Sequence, residues 1–138
     1  MTDPDLILKK LARIETCIQE LRRYGDPEML GRDVREQRFV EHTLQIAIQA
    51  AIDAAAHVVA DERLGEARTQ RELFDLLQRA GWLPGELLGK MRSMCGFRNI
   101  LVHGYDEVDL GIVREVLAHG LDDLGSFVQA LRRRLSGA

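Results

Sequence analysis

Aromatic side chains make up only 5% of this 138-residue chain, proline occurs three times and cysteine twice. Aromatic and β-branched residues are outnumbered by Leu, Ala, Glu, Arg and Gln, so no stretch reads as a sheet strand and the composition is that of helix formers. Cys17 and Cys95 lie far apart, with no CxxC or Cys/His ligand spacing. That argues against a disulfide framework or a metal site, and both read as reduced core thiols. No apolar run approaches the ~20 residues that span a bilayer. The N-terminus has Asp3 and Asp5 where a signal peptide would need positive charge, so the protein is expected in the cytoplasm, without membrane contact. A basic excess is also missing: the formal net charge is −3, which argues against coating nucleic acid by bulk electrostatics.

What is present is helical periodicity. Leu6, Leu8, Leu11, Ile14, Ile18 and Leu21 predict a first helix that stops at Tyr24-Gly25-Asp26-Pro27. A longer stripe from about Val34 to Ala60, rich in alanine, predicts a second helix made for close packing. On it Gln45, Gln49, Asp53 and His57 repeat every four residues, either as a solvated flank or with Asp53 or His57 turned toward a site shared with another helix. Thr69-Gln70-Arg71-Glu72 fits a capping box opening a short third helix, ended by Gly81. A fourth helix follows Pro84 and runs toward His103, with Gly104 as its natural end. The last amphipathic stripe, Val113 to Leu131, ends in Arg132-Arg133-Arg134, which complement the helix dipole. Short connections and the absence of repeats or linkers make residues 1–138 one all-α domain, an antiparallel bundle of four or five helices.

One segment stands apart. From Leu87 to Tyr105 there is no carboxylate, while Lys90, Arg92 and Arg98 supply three cations. This is either a solvated basic face or a place that holds a polyanion. Within it, Gly96-Phe97-Arg98-Asn99-Ile100-Leu101-Val102-His103-Gly104-Tyr105 places an arginine five residues before a histidine. Spacing alone proves little among 16 arginines and four histidines: Arg114 and His119 fit it too, but there Glu115 follows the arginine and no tyrosine follows the histidine. The chemistry is nevertheless coherent. Breaking RNA by transesterification needs a group that moves the 2′-hydroxyl proton and a cation for the charge growing on the phosphate, and it needs no metal or cofactor. Histidine titrates near neutrality, so His103 is the candidate general base or acid. Arginine grips phosphate through a planar fork, so Arg98 is the candidate for transition-state stabilisation, with Asn99 orienting one of the two. Five residues of regular helix turn a side chain by about 140°. Convergence therefore requires either that His103 leave a fraying last turn beside Gly104, or that two copies meet in a homodimer.

The segment resembles the Arg-x4-His-x-Tyr motif of the HepT-like toxins, a family of the HEPN superfamily of helical ribonucleases. The similarity extends to Leu44–Asp53, to Leu121-Asp122-Asp123-Leu124 and to the helix order, covering nearly the whole chain. The resemblance implies a dimeric endoribonuclease toxin of a type VII toxin–antitoxin system, acting on RNA through Arg98 and His103. It further implies that Tyr105 is the acceptor of AMP from a small nucleotidyltransferase antitoxin, MntA, and that the modified tyrosine competes for Arg98. A helical dimer that only docks a nucleotidyltransferase is the alternative.

Overall fold

The computed structural model describes residues 4–103 and 108–137, and no strand occurs among them. The three-to-four-residue spacing of Ile7, Leu11, Ile14, Ile18 and Leu21 becomes the buried face of α1 (Pro4–Tyr24). Asp26 then caps a 3₁₀ turn (Pro27–Met29) that the apolar pattern does not announce, its carboxylate accepting from the Glu28 N–H at 3.2 Å. Asp33 accepts from the Arg35 N–H at 2.9 Å and opens α2 (Val34–Asp61).

Helix α2 is the centre of the bundle, with α1, α3, α4 and α6 all packed on it. Ala47, Ala51, Ala54 and Ala55 are fully buried, and such small side chains let neighbouring backbones approach. By length and composition α2 is apolar enough to cross a bilayer, although its polar residues interrupt any continuous apolar run, yet 61% of that stretch is buried inside the protein. It is the core helix.

The Thr69 hydroxyl accepts from the Glu72 N–H at 3.2 Å and starts α3 (Gln70–Arg79). The return bond differs from a standard capping box, because the Glu72 carboxylate receives the Arg68 N–H at 2.6 Å. Gly81, at φ +81°, ends the helix in a conformation that costs a glycine little. Pro84 precedes α4 (Gly85–His103). Asp109 caps α5 (Leu110–Glu115), which passes through a π-helical turn (Val116–Gly120) into α6 (Leu121–Leu135) without leaving helical backbone. The sequence predicts one regular helix here, and the π turn is the difference. It falls where this rod meets α4, since a Cβ on Gly120 would lie 2.8 Å from Met94 Cε.

Two contacts tie the last helix down. Phe74 of α3 and Phe127 of α6, both fully buried, pack edge to face with centroids 5.8 Å apart. On the surface, both oxygens of Glu15 on α1 accept from the Arg132 guanidinium, one at 2.7 Å. That hydrogen bond, with the arginine's charge, holds the Glu15 carboxyl below its usual range against the opposing effect of burial. A carboxylate whose pKa is lowered on folding adds stability above its unfolded pKa, near 4.3, and loses it as pH falls through the folded value. Glu15→Gln is therefore expected to destabilise the protein by under about 1 kcal/mol at neutral pH, since the pair is partly solvated. Denaturant melts should show the gap closing below about pH 4; an equal gap at acid and neutral pH would assign it to packing instead.

Candidate active site

Helix α4 stays regular through His103, its last residue, so the fraying expected to swing this histidine round is not what the structure shows. The final turn is held by backbone hydrogen bonding, and His103 leaves the axis about 140° from Arg98. Gly104 and Tyr105 lie outside the described residues. Asn99 and His103, four apart, share a face, and both are exposed. The arginine narrows the angle by its length: half-buried, it bends so that Nη1 donates to Asn99 Oδ1 at 3.3 Å. The Arg98 Nε is buried and has no hydrogen-bond partner.

Among the described residues no other arginine has a buried side-chain nitrogen without a partner. Arg22 donates to Asp122 at 2.6 Å, Arg92 pairs with Asp75 and Arg132 with Glu15. Of the three cations on the carboxylate-free segment, Lys90 is matched by Asp123 of α6 at 3.4 Å and Arg92 by Asp75 of α3. The uncompensated basic stripe read from the sequence is thus largely neutralised by other helices, and Arg98 is left without a carboxylate among the described residues. A buried donor without an acceptor costs about 1–3 kcal/mol, which an arriving anion would relieve.

Asp53 accepts from its own helix's Gln49 at 2.9 Å and from Lys10 of α1 at 3.4 Å. In the decoy match, Arg114 donates to the Leu30 carbonyl at 3.1 Å and His119 lies 3.7 Å from the Glu115 carboxylate. Of the arginines closing α6, Arg132 pairs with Glu15 and Arg134 stacks over Trp82, 5.4 Å from the ring centroid. Both cysteines are free and buried. Burial pushes the Cys95 thiol up to about 11, outweighing the nearby Arg71, Arg92 and Arg98. It is protonated at neutral pH and unsuited to act as nucleophile or metal ligand. Among the described residues no three His, Cys, Asp or Glu side chains gather into a metal-binding group.

Beside the motif runs a groove of about 490 Å³ between the start of α3 and α4, lined by Thr69, Arg71, Asp75, Arg92, Cys95 and Asn99. Arg71 was not singled out by its own sequence context. The available signal was Gly96, a glycine in mid-helix, where it costs up to about 1 kcal/mol relative to alanine and so suggests that something lies close. A larger cleft, about 1150 Å³ beside Trp82, opens between α1 and α6, and none of the described motif residues line it.

The sequence profile of the family described as Ribonuclease HepT-like matches residues 12–131. The chain is 34% identical to the mRNA nuclease HepT of Shewanella oneidensis over 129 residues, 93% of this chain and 97% of that protein. It is 30% identical to the tRNA nuclease HepT of Aphanizomenon flos-aquae over 131 residues, 88% of this chain and 89% of that one. Among solved structures, the tri-AMPylated Shewanella oneidensis HEPN toxin in complex with its MNT antitoxin superimposes with a TM-score of 0.86 at 34% identity, covering 96% of this chain and 98% of that one. The all-helical bundle, with Arg98 and His103 at the end of its fourth helix, belongs to the HepT-like ribonuclease family.

Proposed function

We propose that this protein is a cytoplasmic, metal-independent endoribonuclease toxin of a type VII toxin–antitoxin pair, neutralised by AMP transfer to Tyr105. The observation that carries the reading is Arg98: a half-buried guanidinium with an unpartnered Nε, held by one 3.3 Å bond to Asn99, in a protein whose comparable arginines are paired. A charged donor kept without its anion fits a phosphate site. Two relatives carry the names mRNA nuclease and tRNA nuclease, and a structural neighbour is an AMPylated toxin bound to its antitoxin.

In the proposed reaction His103 takes the proton from a ribose 2′-hydroxyl, and the 2′-oxygen attacks the adjacent phosphorus. The P–O5′ bond breaks, leaving a 2′,3′-cyclic phosphate and a 5′-oxygen that receives a proton from an imidazolium. Arg98 neutralises the charge on the phosphoryl oxygens at the transition state. Because α4 is regular, one imidazole and one guanidinium on the same helix diverge, and a homodimer that sets two motifs face to face supplies the missing convergence. RNA incubated with the protein in chelator should be cut, and DNA should survive because it lacks the attacking hydroxyl. Cutting that depends on added metal rejects this mechanism. An intact RNA pool and harmless expression without the partner would favour the docking module.

A further inference from the structure

On α4, Arg92, Gly96, Asn99 and His103 follow at steps of three and four, so they fall on one stripe of the helix. Arg71, from the first turn of α3, lies across this stripe. A Cβ on Gly96 would come within 2.6 Å of Arg71 Nη2, which means the guanidinium rests on the helix where a side chain is missing. The two carboxylates beside it are engaged elsewhere: Asp75 pairs with Arg92, and Glu72 receives the Arg68 N–H at 2.6 Å. The Arg71 side chain has no ion pair or hydrogen bond among the described residues, so its charge stays available to the groove it lines.

Building on the nuclease reading, we infer that Arg71 is an RNA-binding residue that holds a phosphate flanking the scissile one, and that Gly96 is glycine to leave room for it. Gly96 and His103 are seven residues apart, about 10.5 Å along the axis. That is too far for one phosphate to serve both, and it places Arg71 on a neighbouring nucleotide of the same strand. The groove lined by Arg71 and Arg92 reaches along α4 as far as Asn99, one turn short of His103, and is the path along which single-stranded RNA would lie.

The test uses the full-length His103→Ala protein, so that bound RNA is not cut, and a fluorescently labelled single-stranded RNA, with affinity read by anisotropy across a salt series. Adding Arg71→Gln should weaken binding about tenfold and lower the slope of log affinity against log salt by about 0.7, the loss of one phosphate contact. Gly96→Ala should shift the flexible end of the Arg71 side chain and weaken binding by less than Arg71→Gln, while its melting temperature stays level or rises, as expected for alanine in a helix. Arg71→Lys should restore most of the slope. If Arg71→Gln and Gly96→Ala bind with unchanged affinity and slope while Arg98→Ala binds poorly, the inference is wrong and the nuclease reading stands. If the protein neither binds nor cuts RNA, both fall.

Discussion

Substituting His103 by Ala is expected to lower RNA cleavage by about 10²–10⁴-fold, the usual contribution of a positioned proton-transfer group. Arg98→Ala should cost about 10²–10³-fold, through the lost stabilisation of charge on the phosphate. The variants should differ in kind. His103 is exposed at the end of α4, so His103→Ala should leave RNA affinity and melting temperature near wild type. Arg98→Ala should weaken binding as well as turnover. It removes a buried, unsatisfied donor, so its stability should not fall with its activity. Arg98→Lys separates charge from shape: an ammonium keeps the charge but lacks the planar fork, so partial recovery of binding with little recovery of rate is expected. Single-turnover cleavage and calorimetry on the same samples make the comparison. Wild-type rates in either alanine variant would end the assignment of that residue. A dimer carrying Arg98→Ala in one protomer and His103→Ala in the other should recover cleavage if the two groups are pooled across the interface.

Incubation with a cognate nucleotidyltransferase and ATP is expected to add adenylate to Tyr105 and silence the nuclease. In that transfer the phenolic oxygen attacks the α-phosphorus of ATP, pyrophosphate leaves, and the phenolic proton passes to solvent. The product carries a phosphodiester two residues beyond His103 and seven beyond Arg98. Such a group offers the Arg98 guanidinium, whose Nε is unpartnered, the anion it lacks, and so competes with RNA for it. Intact-mass measurement should show the adenylate on wild type, with RNA cleavage falling at least about tenfold, the effect of one charge-assisted contact turned against substrate. Tyr105→Phe should gain no such mass at this position and should remain active beside the partner. A Tyr105→Phe protein that is modified and silenced as readily as wild type would place regulation elsewhere.

Much of this protein was open to reading from its residues alone, because helices report themselves locally. Apolar side chains at three- and four-residue steps gave α1 and α2 within a residue or two of their observed ends, and Thr69 and Gly81 bounded α3 through chemistry confined to one turn. Arg98 and His103 were visible for the same reason, as a short pattern on one helix. The 3₁₀ and π turns were not, since neither changes the apolar spacing enough to register. The electrostatics of α4 could not be read at all. Asp75 and Asp123 are 17 and 33 residues from the cations they neutralise, and only the packing of α3 and α6 against α4 brings them there. The meeting of Arg71 with Gly96 is of that kind, joining residues 25 apart through the angle between two helices. Amino-acid order determined which segments coil and which groups can move protons or grip phosphate. Tertiary structure alone decided which cations are matched and which, Arg98 and Arg71 among them, are left without a carboxylate among the described residues, because a charge is neutralised by what lies near it in space, whatever its distance along the chain.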